Sequence, residues 1–592
     1  MRPTRHPNFA VLLGLAWLLV VAQLLAQHWG ETAQTLLDTD DAMRLVQMRD
    51  WLAGQGWYDL HQRRLEPPLG YDSHWSRLID AGLAATLWPL GLLFEPAVAE
   101  RLMRTVWPML WLLPAMAGAA AIAWRLAGRE AALISLLLAV LGFQALNQFR
   151  PGRIDHHNVQ IALSMLVVAA TVWSDRVRWA APAAGVTTAL AFAVGLECLP
   201  YLAICGAAVA LRYLFDASAA RITRDYGLAL AASSLVAFFA TVGPAHYAQG
   251  FCDAIGVNWT ALLVVAGLGL ALAGSRSPET RQGRLACVCA IGGVAAGVFI
   301  AIEPQCLRGP YAQMDPALGP IWLDRVDEMQ PLLRELVNSP LSAIGIATFP
   351  ALAGIATLLL LRDPVLRHDR AFLAAIAAFA AAVLTTLAAI KGYSYATWLA
   401  MRLVAVFALR VFAFLELQRL LPRFAIGMLL TPMLLSIGAV AIADAASVGQ
   451  SDGNATNTGA CHKTADFARL AALSRGLVAG SVDLGPFLLA LTPHSALAAP
   501  YHRSAFGIAT VHAAFSAPPD TARRILTERN VTYVIVCGPR APAGLAGAEL
   551  AASLWARLRA GEVPDWLEPV SELRGSMFAV YRLRSGAAGS HL

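Results

Sequence analysis

The sequence predicts a polytopic α-helical membrane protein of about thirteen spans, followed by a small α/β domain outside the membrane. Of its 592 residues, 57% are hydrophobic and only 14% are charged, whereas an average soluble domain has about 25% charged residues. Apolar runs long enough to cross a ~30 Å hydrocarbon core recur as far as residue 443. Beyond residue 445 the pattern becomes that of a folded soluble domain. The protein is therefore neither a purely soluble enzyme nor a disordered scaffold.

Fourteen apolar runs are candidate spans. They lie near residues 9–27, 80–97, 101–123, 130–147, 158–173, 180–196, 199–215, 227–243, 257–273, 284–302, 341–361, 371–390, 397–415 and 423–443. The first run follows Met-Arg-Pro-Thr-Arg-His, whose positive charge predicts a cytoplasmic N-terminus. A cleaved signal peptide is the alternative, but the length of the run and the lack of an obvious Ala-x-Ala site favour an anchor.

Arginine-bearing loops set the predicted orientation, since lysine occurs only at Lys391 and Lys463. If run 80–97 crossed the membrane, loop 124–130 would face outward, against the positive-inside rule. We therefore predict that run 80–97, which Pro89 interrupts, is an interfacial or re-entrant helix. Six arginine-containing loops then face the cytoplasm: 124–130, 174–179, 212–226, 274–284, 361–370 and 416–423. The formal net charge of +6 thus reflects membrane topology rather than a nucleic-acid surface.

Three outward regions are longer than a connector needs to be, and long outer loops are often functional. They are residues 28–79, residues 303–340 and the tail from residue 445. A polar linker from Ser447 to Asn457 divides a transmembrane domain, 1–444, from an extracytoplasmic α/β domain, 445–592. Thr532–Cys537 is the clearest buried strand of that domain.

The cysteines on the outward side are candidates for disulfides. None of the eight cysteines in the chain has a metal-ligand spacing. Cys252, Cys306, Cys461 and Cys537 all lie on the predicted outward side, where an oxidising compartment permits disulfides. Cys252 with Cys306 and Cys461 with Cys537 are candidate pairs, and the pairing stays open.

The segment Leu37-Asp-Thr-Asp-Asp-Ala-Met-Arg44 follows the first span directly. Its three carboxylates repel one another unless a cation or an arginine compensates them. Hard divalent ions such as Mg²⁺ or Mn²⁺ bind carboxylate oxygens, so this is a candidate metal motif. The alternative is a helix start, where acidic residues are favoured by the helix dipole.

The segment Phe149-Arg-Pro-Gly-Arg-Ile-Asp-His-His-Asn158 lies in the short outer loop before the fourth span. Asp155 and His157 are two residues apart, so a turn can direct both at one ion while His156 points elsewhere. Asp155 could instead cap the following helix, which would leave the paired histidines unexplained. The predicted topology places this loop on the same side as Asp38 and Asp40.

The third segment, Leu323-Asp-Arg-Val-Asp-Glu-Met-Gln-Pro-Leu332, lies in the outer loop between the ninth and tenth spans. Taken alone, it is an amphipathic surface segment. Together, the three segments resemble the catalytic subunit of oligosaccharyltransferases, a GT-C-fold family that uses lipid-linked sugar donors. Asp38 with Arg44 resembles the first-loop motif of that family, Asp155-His-His157 its Asp-x-His motif, and Val326–Pro331 its loop motif, which places the glutamate at Glu328. The resemblance covers approximately residues 9–443.

One family motif is missing. W-W-D-Y-G, which reads the serine or threonine of an N-glycosylation sequon, is absent from the C-terminal region. The acceptor therefore stays open among a glycan, a lipid and a protein. Which first-loop aspartate matches is also open, because Asp38 has the better arginine spacing, Asp40 completes an Asp-x-Asp pair, and Asp41 lies beside them.

The resemblance implies roles for seven side chains. A divalent cation, Mg²⁺ or Mn²⁺, would be held by Asp38, Asp40, Asp155, His157 and Glu328. The catalytic residues would be Asp38, Asp40 and Glu328, with the first-loop aspartate that is free of metal acting as general base. Lys391 and Arg402 are candidates for binding the donor phosphate, or are residues that snorkel to the interface. Glu197 and His246 rank low, since neighbours at the outer ends of the spans could satisfy them.

These residues predict a metal-dependent glycosyltransferase that moves a sugar or oligosaccharide from a polyprenyl-(pyro)phosphate donor to an acceptor on the outer face of the membrane. One alternative transfers a single sugar from a polyprenyl monophosphate to a lipid or surface polymer. Another is a lipid or solute transporter, although transporters place their charges near the bilayer midplane. The expected location is a bacterial-type inner (plasma) membrane, with the C-terminal domain periplasmic or extracellular. The expected partners are the donor, an unknown acceptor and the bilayer, with no nucleic acid.

Overall fold

The computed structural model describes residues 8–446, 461–538 and 540–584. The expected linker, Ser447–Asn457, and the charged N-terminal residues 1–6 lie outside the described residues. The α-helices are α1 (Phe9–His28), α2 (Glu31–Gln34), α3 (Thr39–Leu52), α4 (Arg77–Gly91), α5 (Pro96–Val140), α6 (His157–Trp173), α7 (Ala180–Val194), α8 (Leu199–Phe215), α9 (Ala220–Thr241), α10 (Val257–Ser275), α11 (Arg281–Ile302), α12 (Leu318–Ile321), α13 (Leu332–Asn338), α14 (Pro340–Leu360), α15 (Arg370–Ala388), α16 (Tyr393–Phe414), α17 (Leu420–Leu429), α18 (Pro432–Ala445), α19 (Thr464–Ala471), α20 (Gly485–Leu491), α21 (Ala505–Ser516), α22 (Pro519–Glu528), α23 (Gly547–Ala552) and α24 (Leu554–Arg559). The strands are β1 (His61–Gln62), β2 (Tyr71–Asp72), β3 (Leu477–Ala479), β4 (Ser495–Ala496), β5 (Val531–Val536), β6 (Leu567–Pro569) and β7 (Ala579–Leu583).

Long apolar helices make this a multi-pass membrane protein. In the part of the chain that the structure describes, seven helices are long and apolar enough to cross a membrane, or up to eight if α17 and α18 form one bent span. Helices α6, α7 and α8 are apolar but shorter. Each predicted span falls on a helix, while the count of thirteen crossings stays a prediction.

Helix α5 contains a break that separates two predicted spans, 101–123 and 130–147. Ala127 and Gly128 leave helical geometry, and Gly128 has φ +81°. A side chain at such a φ would be strained, so glycine is the residue that turns the chain here. The break falls within the arginine loop 124–130, as the charge pattern predicts.

The predicted cytoplasmic loops meet at one end of the helix bundle, which we call the arginine end. Ion pairs join loops that are far apart in sequence: Arg125 with Asp175 and Asp369, Arg212 with Asp175, Arg370 with Asp216, and Arg423 with Glu130. The sixth loop joins them through Arg284, which donates to the carbonyl oxygen of Leu214 at 3.3 Å. A common side for all six loops is therefore confirmed by their contacts.

Helix α4 has both of its ends at the opposite end of the bundle. Arg77, at its start, donates to the carbonyl oxygen of Gln47 at 2.8 Å in the first outer loop. Glu100, in the first turns of the helix that follows, accepts from Arg49 of the same loop at 2.8 Å. The run 80–97 therefore returns to the side from which it starts, as a re-entrant segment does.

The C-terminal region forms the expected small domain. Its five-stranded sheet has the order β4-β3-β5-β7-β6. Strand β3 is parallel to β4 and β5, and β7 is antiparallel to β5 and β6. The apolar run predicted as a strand is β5, which lies in the middle of the sheet with most of its side chains buried. The hydrophobic core of the domain lies between this sheet and helices that include α21, α22 and α24.

This domain rests on the first outer loop. Arg64 donates to the carbonyl oxygens of Leu489, Thr492 and His494 at 2.7–3.2 Å. The backbone N–H of Glu66 donates to the carbonyl oxygen of Ala496 at 2.8 Å. The domain is thereby held over the end of the bundle opposite the arginine end.

Both candidate disulfides are present. Cys252 is bonded to Cys306, and Cys461 is bonded to Cys537. The first links the segment before α10 to the segment after α11, and the second ties the start of the C-terminal domain to the end of β5. Disulfides of this kind fit the outward side that the arginine pattern predicts.

Candidate active site

A cavity of about 630 Å³ lies between the first outer loop, the outer region 303–340 and the C-terminal domain. Four of the predicted site residues line it: Asp38, Asp40, Glu328 and Lys391. They come from three regions far apart in sequence. The fold therefore brings these parts of the predicted site to one place, at the end of the bundle opposite the arginine end.

Arg153 compensates the carboxylates of the first-loop motif. Asp38 caps helix α3 and accepts from Arg153 at 2.7 Å. The same guanidinium lies 3.2 Å from Asp41 and also forms an ion pair with Asp155. Burial acts to raise the pKa of Asp38, but the charge and hydrogen bond of Arg153 hold this pKa well below its usual range. The arginine that compensates the carboxylates of the first-loop motif thus comes from the second motif, the segment Phe149–Asn158.

Asp40 is a carboxylate without a partner. Among the described residues, its side chain has neither a hydrogen bond nor an ion pair, although it lines the cavity. Burial, followed by the negative charges of Asp38, Glu328 and Asp155, raises its pKa well above the usual range, and His157 opposes this shift. The charges of the other four predicted metal ligands therefore act on the pKa of Asp40.

Asp155 and His157 lie behind the cavity surface. Asp155 is completely buried, and its Oδ1 accepts from the backbone N–H of His157 at 3.0 Å. His157 Nδ1 lies 2.9 Å from Glu197 Oε2. Neither of these two residues lines the cavity, whereas His156 and Glu197 do. The motif thus contributes both a structural cap and an imidazole that is held by Glu197.

Glu197 connects the second motif to Lys391, so its predicted low rank among the candidates was wrong. Its Oε1 accepts from Lys391 Nζ at 2.8 Å, while Oε2 contacts His157. Burial acts to raise the pKa of Glu197, but the charges of Lys391 and His157 hold this pKa well below its usual range. An unpaired glutamate at the end of an apolar run is energetically costly. The position of Glu197 in the sequence therefore already indicated that this residue has a partner.

Of the two candidate cations, Lys391 lies at the cavity and Arg402 does not. Arg402 is completely buried on α16, where it donates to the carbonyl oxygen of Ala375 at 2.8 Å. Its position within the helix bundle separates it from the cavity lining. Lys391 lies in the turn before α16, at the level of the outer loops.

Glu328 lies in a short 3₁₀ turn, Asp327–Met329. Within the described ranges, its side chain has no hydrogen bond or ion pair. The turn is held against the C-terminal domain, because Arg540 donates to Asp327 at 3.1 Å and Arg325 donates to the carbonyl oxygen of Ala541 at 3.0 Å. Burial raises the pKa of Glu328, and Lys391 and His157 oppose this shift.

Arg44 supports the cavity wall. It is completely buried, forms an ion pair with Asp80 at 3.1 Å, and lies 4.6 Å from the ring centre of Trp75. Trp75 lines the cavity. The arginine six residues after Asp38 therefore packs behind an aromatic wall residue rather than beside the aspartate.

The donor atoms around this end of the cavity suit a divalent cation. Ligand atoms of His156, His157 and Glu197 lie within 4.8 Å of one another. Asp40 and Glu328 line the same cavity without belonging to that group, and their carboxylates have no other partner among the described residues. Carboxylate oxygen and imidazole nitrogen are ligands of Mg²⁺, Mn²⁺ and Zn²⁺. A carboxyl group without a protein partner, as at Asp40, is the observation that fits a bound cation, because a cation would favour its ionised form.

No protein-family model matches the sequence, and no curated protein matches it. Solved structures do. The archaeal oligosaccharyltransferase AglB from Archaeoglobus fulgidus, in complex with an inhibitory peptide and a dolichol-phosphate, is 13% identical with a TM-score of 0.69, over 95% of this chain and 79% of that chain. The Archaeoglobus fulgidus enzyme tethered to an acceptor peptide is 14% identical with a TM-score of 0.64, over 97% of this chain and 74% of that chain. The same enzyme with Zn and sulfate is 14% identical with a TM-score of 0.60, over 89% of this chain and 67% of that chain. The chain is therefore similar to these enzymes in fold, which is the GT-C fold.

Proposed function

We propose that this GT-C-fold chain is a metal-dependent glycosyltransferase that takes a sugar or oligosaccharide from a polyprenyl-(pyro)phosphate donor and transfers it to an acceptor on the outer face of a bacterial-type inner membrane. One observation carries the proposal. Asp40 and Glu328, two carboxylates without partners among the described residues, line a cavity together with Lys391. A transporter would place such charges near the bilayer midplane, whereas these lie beneath a domain that covers the end of the bundle.

Lys391 is the cation that would bind the donor phosphate. Its ammonium group carries three donors, of which one is directed at Glu197. The sugar and phosphate would occupy the cavity, while the polyprenyl tail lies along the apolar helices. The dolichol-phosphate complex of the archaeal enzyme supports a donor of this class. We assign no phosphate contact to Arg402, which is buried away from the cavity.

Asp38, Asp40, Asp155, His157 and Glu328 would hold the cation. When bound, a divalent ion supplies a Lewis acid that stabilises negative charge developing on the departing phosphate. Arg153 already neutralises much of the charge on Asp38 and Asp155, so Asp40 and Glu328 are the carboxylates most dependent on a metal. Glu197 would hold His157 in the orientation that presents its other ring nitrogen, a role typical of carboxylates behind metal-binding histidines.

The test uses full-length protein purified in detergent with labelled polyprenyl-phosphate-linked sugars extracted from membranes of the source cells. We expect Asp40→Asn and Glu328→Gln each to lower sugar transfer by about 100-fold or more. Glu335→Gln is the matched control, since Glu335 lies in the same outer region and its side chain has no hydrogen bond or ion pair within the described part of the chain. Chelation by EDTA should abolish transfer, and Mn²⁺ should restore it. Movement of the intact donor across a vesicle membrane without transfer would contradict the proposal.

A further inference from the structure

His502 forms a pair with Asp253 that the metal site does not use. His502 Nε2 lies 2.6 Å from Asp253 Oδ2. Arg503 donates to both oxygens of the same aspartate at 2.7 Å. Asp253 and His502 have side-chain exposures of 8% and 10%. The carboxylate therefore orients the imidazole, and the guanidinium compensates the charge of the carboxylate.

The residue before His502 contacts the first-loop motif. Tyr501 donates from its hydroxyl to the carbonyl oxygen of Thr39 at 3.1 Å, and Thr39 stands between Asp38 and Asp40. His502 follows directly and lines the same cavity. The edge of its ring also faces Tyr311, with ring centres 5.3 Å apart. The imidazole is thus placed on the wall of the cavity that Asp40 also lines.

One ring nitrogen of His502 is bonded, and the other is free among the described residues. The titratable and charged groups that face the ring are Asp253, Arg503, His74 and Tyr311. When Nε2 carries the proton and donates it to Asp253, the neutral ring keeps the lone pair of Nδ1. Nδ1 has no hydrogen-bond partner within the described residues. An aspartate that fixes the tautomer of a histidine is the arrangement that makes imidazole an effective base.

Aromatic side chains also line the cavity. Among them are Trp322, from the outer region 303–340, and Phe515 and Trp555, from the C-terminal domain. Flat aromatic side chains pack well against the apolar face of a sugar ring. The cavity therefore suits a saccharide, which would present a hydroxyl group to His502.

We propose that His502, oriented by Asp253, is the base that takes the proton from the acceptor, and that the acceptor is a saccharide hydroxyl. This inference rests on the proposed function. The acceptor oxygen forms a bond to the anomeric carbon while the bond from that carbon to the donor phosphate breaks. The hydroxyl proton passes to Nδ1 of His502, and the phosphate leaves with the bonding electron pair. The sequence alone assigned the base to a first-loop aspartate, but Asp38 is paired with Arg153 and Asp40 is required for the cation.

Azide provides the decisive test because it is a nucleophile without a proton to lose. Full-length protein is supplied with the labelled donor pool and either the saccharide fraction of source membranes or sodium azide. We expect His502→Ala to lower transfer to saccharide by about 100-fold or more, while glycosyl azide forms within threefold of the wild-type rate. His502→Gln, which keeps a donor for Asp253, should behave in the same way if His502→Ala does not fold. Imidazole in the buffer should restore part of the saccharide transfer by His502→Ala.

Asp253→Asn tests the positioning role. It should lower transfer to saccharide by about tenfold and alter the acidic limb of the pH profile, while azide transfer is retained. His246→Ala is the control, because His246 is an exposed histidine that does not line the cavity.

Three results would overturn the inference. One is unchanged saccharide transfer by His502→Ala, and another is an equal loss of saccharide and azide transfer. The third is a stoichiometric metal ion in wild type that His74→Ala and His502→Ala lose, since the imidazole would then be a ligand. Failure of the proposed function is distinguishable, because wild-type protein would then transfer sugar neither to saccharide nor to azide.

Discussion

Lys391 and Glu197, which are separated by 194 residues in sequence, form an ion pair at 2.8 Å on the wall of the cavity. The same carboxylate contacts His157 at 2.9 Å. One glutamate thus links the candidate phosphate-binding lysine to the imidazole of the candidate metal motif. This link makes both groups sensitive to a single substitution.

Glu197→Gln should weaken metal binding more than it destabilises the folded protein. The amide cannot compensate both Lys391 and His157, so the imidazole loses the partner that orients it. We expect metal affinity to fall by about 10- to 100-fold, as for other carboxylates behind metal-binding histidines. Titrating Mn²⁺ into metal-free protein and measuring sugar transfer checks this. If the Mn²⁺ dependence equals that of wild type, Glu197 does not orient a ligand.

Arg153→Ala should destabilise the protein strongly. It leaves Asp38, Asp41 and Asp155 without their common cation. Removing one partner of a buried ion pair costs about 3–5 kcal/mol. Thermal unfolding in detergent measures the effect, with Arg176→Ala as control, since the Arg176 side chain is 67% exposed. A melting temperature equal to that of the control would contradict the proposed central role of Arg153.

Asp253→Asn should destabilise the protein in a pH-dependent way. Burial acts to raise the pKa of Asp253, but hydrogen bonds from His502 and Arg503 hold this pKa well below its usual range. Such a carboxylate contributes stability that is fully present above its unfolded pKa, about 3.9, and is lost as the pH falls through its folded pKa. The difference in melting temperature between wild type and Asp253→Asn should therefore be largest near neutral pH and shrink below about pH 4. Asp520→Asn, at an exposed position, is the control, and a difference that stays constant with pH would contradict the assignment.

The two disulfides should be recovered from protein isolated without reductant. Peptide mapping should find Cys252 linked to Cys306 and Cys461 linked to Cys537. Replacing Cys461 and Cys537 by serine should lower stability by about 2–4 kcal/mol, because the bond constrains the unfolded chain. Cys287→Ser, at a free cysteine, should have little effect. Recovery of all four bonded cysteines as free thiols would contradict an outward position for these segments.

Cysteine labelling in intact cells should reveal the orientation. Arg63→Cys, in the first outer loop at a side chain that is 70% exposed, should react with a membrane-impermeant maleimide. Arg178→Cys, in one of the loops at the arginine end, should react only after permeabilisation. Wild-type protein measures the background from the free cysteines. The reverse pattern would place the cavity on the cytoplasmic side.

The helices and the common side of the arginine loops could be predicted because their causes are local. Twenty apolar residues favour a helix in the bilayer whatever the rest of the chain does, and arginines in short loops favour one side. The exclusion of run 80–97 as a span followed from the same rule. The placement of the three acidic motifs on one side could also be predicted, because this prediction depends on loop charges and not on contacts between the motifs.

The partners of the site residues could not be predicted, because ion pairs form between segments whose distance in sequence is unrelated to their distance in space. The motif spacing predicts Arg44 beside Asp38, where Arg153 lies instead. Nothing in the sequence near Glu197 indicates that this residue joins Lys391 to His157. His502 was not considered, because nothing local marks a histidine whose partner is the distant Asp253.

The sequence by itself thus determined a many-helix membrane protein with a small additional domain and with its acidic motifs predicted on one side, since hydrophobicity and charge act on each segment separately. Only the tertiary structure decided which carboxylates are neutralised by arginine and which remain free, because electrostatic compensation depends on side chains that folding brings together. It also decided that the C-terminal domain closes the cavity, through contacts that no single segment encodes.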